Sequence, residues 1–147
     1  MIDKKNSEGY MDLTMHHAPT KIEKEEKAAH RAARFRPLVY VCSPFSGDID
    51  GNTEKARRCS RFAVDKGTIP LTVHLLFPQF VSEETERPLA LYMGSIVLAK
   101  CQEVWVFGSH ISEGMAAEIV RAKKLKKTIR YFTESMEEVM HNGTDIG

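Results

Sequence analysis

Apolar residues in this chain fall into short unbroken runs, separated by stretches where they recur at helical spacing. Leu38-Val-Tyr-Val-Cys42 and Val104-Trp-Val-Phe107 are continuous apolar runs with no polar alternation. Such runs are expected of strands covered on both faces, and they point to a parallel sheet flanked by helices. Ile69-Pro-Leu-Thr-Val73, leading into His74, and Thr128-Ile-Arg-Tyr-Phe132 read as two further strands. Between them, Ala56, Cys59, Phe62 and Ala63 mark a helix that starts at Asn52 or Thr53, runs to Lys66 and is closed by Gly67. Leu89, Leu91, Met93, Ile96, Val97 and Cys101 mark a well-buried helix from Arg87 to Lys100. Met115, Ile119 and Ala122, behind a Ser112 N-cap, mark another that ends in the lysine-rich segment 123–127, where cations complement the helix dipole. A short terminal helix is expected over 133–141, and residues 74–86 form a long loop with apolar anchors that has to bury something, a pocket wall or an oligomer contact.

Strands and helices alternating from 37 to 132 predict an α/β fold. The expected form is an open, mostly parallel Rossmann/flavodoxin-like three-layer sheet of four to five strands. In such sheets ligands bind beyond the carboxyl ends of the strands, where strand order reverses. The loops 43–51 and 108–114 are therefore expected to face each other across one crevice. Ahead of the domain (37–147) lies a polar N-terminal extension (1–36), whose segment 20–35 favours a helix with a thin apolar stripe. The sequence predicts an appendage there, packing on the domain or on a neighbouring subunit.

Composition narrows the function classes. Apolar residues make up 42%, charged residues 28%, and the formal net charge is +1. A chain this neutral gives no reason to expect a nucleic-acid polymer or a membrane as partner. No apolar run approaches the roughly 20 residues that span a bilayer. Met1-Ile-Asp-Lys-Lys5 lacks a signal-peptide core, so the expected location is the cytoplasm. Cys42, Cys59 and Cys101 have no metal-ligand spacing and read as buried thiols in a reducing compartment. His16-His17 lies on an unpatterned segment and reads as solvated; neither metal nor cofactor is expected.

The candidate chemistry sits in the crevice. Glu118 lies one helical turn beyond Gly114, so the two share a face. A glycine there leaves the carboxylate unscreened at a helix N-terminus, where a ligand could lie against it. A solvated Glu118 beside a merely permissive glycine is the plainer alternative.

Two segments carry a family resemblance. Tyr40-Val-Cys-Ser-Pro-Phe-Ser-Gly47 resembles the opening Tyr-x-x-(Ala/Cys/Gly)-(Gly/Ser)-Pro-type segment of the nucleoside 2-deoxyribosyltransferase-like superfamily. Ser112-Glu-Gly-Met-Ala-Ala-Glu-Ile-Val-Arg-Ala122 resembles its second motif, and the match runs in element order from 38 to 132. It is nearest to a bacterial and phage branch similar to 2′-deoxynucleoside 5′-phosphate N-hydrolases. The resemblance implies that Glu118 attacks the anomeric carbon of a nucleoside or nucleotide while Tyr40 orients it. A glycosyl-enzyme ester forms, to be resolved by water or a second base. It further implies substrate contacts from Ser43, Phe45, Ser46, Gly47, Asp48, His74, Gly108, Ser112, Gly114 and Met115. Ser112, in place of an aspartate, favours a nucleotide over a nucleoside, because a helix N-terminus attracts phosphate. His74 would sit near that phosphate, or simply cap a strand end.

Three departures stand out. Where the superfamily carries an Asp that contacts the leaving base, this chain has Tyr92, leaving Asp48 and Asp50 as candidate acids. Val120 replaces a glycine after the nucleophile, and a phosphate-facing arginine aligns with Ser46. The expected function is a nucleotide N-glycosidase or deoxyribosyltransferase-like enzyme. The alternative is a non-catalytic nucleotide-binding module of the same fold that senses or sequesters its ligand. A homodimer or higher homo-oligomer is expected, as is common in the superfamily.

Overall fold

A computed structural model describes residues 18–32 and 35–140. The chain divides into two compact units, residues 1–35 and 36–147. In the first, α1 (Lys21–Ala32) opens with a reciprocal cap: Glu23 N–H donates to Thr20 Oγ1 (3.1 Å) and Thr20 N–H to Glu23 Oε1 (2.9 Å). Its predicted stripe residue Ile22 stays exposed. His16 and His17 lie outside the described residues.

The second unit contains β1 (Leu38–Cys42), α2 (Ile49–Asp65), β2 (Ile69–Leu71), α3 (Val73–Leu76) and α4 (Arg87–Lys100). These are followed by β3 (Glu103–Phe107), α5 (Glu113–Lys124), β4 (Thr128–Phe132) and β5 (Glu138–Val139). The strands form one sheet in the order β2-β1-β3-β4-β5, parallel except for β5. Strand alternation divides the core. Val39, Val41, Trp105 and Phe107 project to one face, where Cys59, Ala63 and Phe62 of α2 cover them. Tyr40, Cys42, Val104 and Val106 project to the other, against Leu98 of α4 and Met115, Ile119 and Ala122 of α5. That is a three-layer α/β sandwich, and its strand order reverses between β1 and β3. The loops after those two strands thus flank one crevice.

Several expectations are corrected. Residues 133–139 form a turn and β5 in place of a terminal helix. The Thr133 hydroxyl accepts from Ser135 and Glu137 N–H, Met136 has φ +68°, and Glu138 pairs with Arg130 across the ladder. These local bonds compete with a helix and win. α2 begins three to four residues earlier than predicted because Asp48 caps it, accepting from Gly51 N–H at 3.1 Å. A side chain at Gly51 would run into that carboxylate. β2 stops at Leu71; as an edge strand it tolerates Pro70. His74 accordingly lies in α3, and Phe77–Gln79 adds a 3₁₀ turn, so the 74–86 segment is only partly loop. Within it Val81 is buried while Leu76 and Phe80 stay exposed. α4 is less buried than predicted, with Leu89, Leu91, Tyr92 and Ile96 all exposed. The three cysteines are buried free thiols, as expected.

Candidate active site

Tyr40 projects from the middle of β1 toward α5, because it shares the even-numbered face of that strand with Cys42. Glu118 reaches back from the second turn of α5. The Tyr40 hydroxyl donates to Glu118 Oε2 at 2.6 Å, joining residues 78 positions apart. Glu118 as a residue is only partly buried, yet its Oε1 is closed off from solvent and accepts no hydrogen bond. The Ser43 hydroxyl, at the end of β1, is likewise buried and unpaired. Burial pushes the Glu118 carboxyl above the ordinary glutamate range, and the Tyr40 hydroxyl and Cys42 thiol pull it partway back. Burial, then the neighbouring Glu118 charge, holds the Tyr40 phenol well above its usual value. The shared proton therefore stays on the tyrosine, and the carboxylate is the acceptor.

Both groups line a pocket of about 450 Å³ between α3, α4, α5 and the end of β1. Ser43, Phe45 and Ser46 come from the loop after β1, His74 from α3, and Ser112, Gly114 and Met115 from the start of α5. Ser112 caps α5 by accepting from Met115 N–H at 3.3 Å. A side chain at Gly114 would meet nothing within 4 Å, so this glycine leaves open pocket space over the turn before Glu118. His74 stacks on Phe45 with ring centroids 4.9 Å apart and planes at 18°. Burial lowers the His74 pKa; Glu83 and a hydrogen bond to the Ser43 backbone oppose this, and Arg87 adds to it. The imidazole is thus held toward its neutral form.

Three named candidates stand elsewhere. Gly47 (φ +94°) and Gly108 (φ +102°) make the chain turns that leave β1 and β3, and Asp48 is the α2 cap. None of the three lines the pocket, and neither does Asp50. Tyr92, matched in the sequence to the position of an acid, is 65% exposed on the outer side of α4. The side of α4 that faces the pocket carries Arg87, Ala90, Leu91, Gly94, Ser95 and Leu98. Gly94 brings the helix close to Tyr40: a Cβ there would lie 3.6 Å from the tyrosine oxygen.

Sequence reasoning missed Glu83, Arg87, Gly94 and Arg121. Arg87, Leu91, Gly94 and Leu98 do recur at helical spacing, which was the available signal. Its apolar members were indistinguishable from core. Arg87 Nη1 pairs with Glu83 Oε1 at 2.8 Å, and Arg121 Nε donates to the Ser95 carbonyl at 3.2 Å. Among the described residues no cluster of His, Cys, Asp or Glu is suited to hold a metal ion, and no helix is long and apolar enough to cross a membrane.

A family model described as "Domain of unknown function (DUF7768)" matches residues 37–132, well over half of the chain. The chain belongs to that family. No curated protein matches it significantly. Among solved structures it is similar to a 2-deoxyribosyltransferase from the psychrotolerant bacterium Bacillus psychrosaccharolyticus. That likeness has a TM-score of 0.53 at 17% identity, over 71% of this chain and 77% of the other. It is also similar to the 2-desoxiribosyltransferase from Leishmania mexicana (TM-score 0.52, 14% identity, 75% of this chain, 89% of the other). At these identities the likeness establishes the architecture: a nucleoside 2-deoxyribosyltransferase-like fold.

Proposed function

We propose that the protein is a nucleotide N-glycosidase or deoxyribosyltransferase-like enzyme that cleaves a base–sugar bond through Glu118. The observation that carries this reading is the Tyr40–Glu118 pair, which lines a ligand-sized pocket and leaves one buried carboxylate oxygen unpartnered. Glu118 attacks the anomeric carbon, the base departs with the bonding electron pair, and a glycosyl ester forms. Water or an acceptor base then resolves it. Tyr40 holds one carboxylate oxygen so that the other faces the sugar. Ser112 and the first amides of α5 offer a place for a 5′-phosphate.

Deoxyribosyltransferases are the named neighbours in structure, and a small nucleoside or nucleotide is the partner we assign. Self-association through the outer side of α4 is part of the proposal. Leu89, Tyr92 and Ile96 lie there exposed at helical spacing, with no charged residue between Pro88 and Ala99. Three buried free thiols fit a reducing cytoplasm.

The second reading, a nucleotide-binding module without turnover, is favoured by one observation: Tyr92 lies outside the pocket, and no acid takes its place on the inward side of α4. The test is incubation of the purified protein with nucleosides and nucleoside 5′-monophosphates, followed by chromatography for free base. Release that disappears in Glu118→Gln supports the enzyme. Equal release by the variant, or none from any compound, overturns it. A compound that raises the melting temperature yet is recovered intact supports the binding module.

A further inference from the structure

Breaking a bond between a sugar and a neutral base leaves an anionic nitrogen unless an acid protonates it, and a carboxyl group usually does so. The described pocket offers few proton donors. Of its carboxylates, Glu118 is the group that attacks. Glu83 is held by Arg87 at 2.8 Å and is an acceptor in that pair. Glu113 stands exposed in the first turn of α5. Burial keeps the His74 imidazole toward its neutral state, and the Tyr40 proton is directed at Glu118. α4 faces inward with Ala90, Leu91, Gly94, Ser95 and Leu98, none of which is an acid.

The same pocket is suited to a positive charge. Three carboxylates and two guanidiniums line it. The Glu83–Arg87 pair is internally balanced, and Arg121, which donates to the neutral Ser95 carbonyl, keeps its charge, so Glu113 and Glu118 outweigh it by one. Phe45 and His74 present a stacked aromatic wall against which a flat cation could lie. Glu118 lines this pocket, and its Oε1 is buried without a hydrogen-bond partner.

We infer that the preferred substrates are N-glycosides whose leaving ring already carries a positive charge, such as a pyridinium or an N7-alkylated purine nucleotide. The step then balances without an acid. A Glu118 oxygen forms the bond to the anomeric carbon, the carbon–nitrogen bond breaks, and its electron pair neutralises the ring, which departs uncharged. Water hydrolyses the ester and regenerates the carboxylate. The inference rests on the Glu118 reading above and can fail separately from it.

The experiment measures kcat/KM of the full chain for base release from nicotinamide mononucleotide and N7-methylguanosine 5′-monophosphate. Adenosine and guanosine 5′-monophosphates and their 2′-deoxy forms are measured alongside. The expected result is a preference of about 100-fold or more for at least one cationic compound, on the order of what general acid catalysis contributes. With nicotinamide mononucleotide, whose pyridinium has no ring proton to lose, the rate climbs as pH passes the Glu118 pKa and stays level up to about pH 9, since no acid has to remain protonated. Comparable kcat/KM for the neutral-base nucleotides, or a descending basic limb with nicotinamide mononucleotide, overturns the inference and leaves Glu118 as the nucleophile. No Glu118-dependent release from any compound overturns both. The two cationic probes separate a pyridinium preference from a purinium one.

Discussion

Replacing Tyr40 with Phe isolates the contact at the centre of this site. The side chain is 1% exposed, so the substitution keeps the packing and removes one hydroxyl. That hydroxyl is the 2.6 Å donor to Glu118 Oε2; Oε1 accepts no hydrogen bond, and the Cys42 thiol also favours the charged carboxylate. Hydrogen bonds to charged groups contribute about 1.5–3 kcal/mol, and leaving a buried acceptor unsatisfied costs a similar amount. The loss depends on pH. Tyr40 lowers a Glu118 pKa that burial has raised, so its removal raises that pKa further. Above the folded-state pKa, wild type keeps a bonded carboxylate while the variant holds a bare one. Below it, both hold a neutral carboxyl and the difference shrinks toward that of a neutral hydrogen bond, about 1 kcal/mol.

Thermal denaturation from pH 4.5 to 8.5 measures this without any substrate. For a unit of this size about 2 kcal/mol corresponds to a Tm loss of roughly 5–10 °C, expected at the alkaline end and diminishing toward the acid end. In a Glu118→Gln background the effect of Tyr40→Phe falls by at least half, the mark of a coupled pair. A loss of stability that is constant with pH, or unchanged when Glu118 is already Gln, would refute the argument that Tyr40 acts through the Glu118 charge.

Two further outcomes follow from the same geometry. The Glu118 carboxyl has a folded-state pKa above its ordinary value of 4.5, so the folded state binds the extra proton between those two values. Stability is fully present below the unfolded value and falls as pH rises through the folded one. The stability of Glu118→Gln relative to wild type should improve over that window, read by chemical denaturation at several pH values, and a flat difference would count against a buried charge. Gly94→Ala adds a Cβ in ordinary contact at 3.6 Å from the Tyr40 oxygen and should stabilise α4 by up to about 1 kcal/mol. Gly94→Leu fills the space beside Tyr40 and should abolish ligand-induced Tm shifts while the circular dichroism spectrum is kept; retained shifts would place the ligand elsewhere.

The sequence by itself determined the layers. Runs such as Val104–Phe107 contain no polar alternation, so they had to be covered on both faces, and the spacing of Met115, Ile119 and Ala122 oriented α5 correctly against them. It also determined the loops that flank the crevice and, through two motif-like segments, the pairing of Tyr40 with Glu118. Elements governed by one or two local bonds were harder to read. The Asp48 cap moved the start of α2, and the Thr133 hydroxyl bonds turned an expected helix into a turn and a short strand. Only the tertiary structure decided which side of α4 faces the pocket. That helix is apolar nearly all round, so periodicity could not separate an inward Gly94 from an outward Tyr92. The Glu83–Arg87 pair and the shielding of Glu118 Oε1 were also beyond the sequence, because burial and ion pairing are properties of elements brought together in space and not of any one segment.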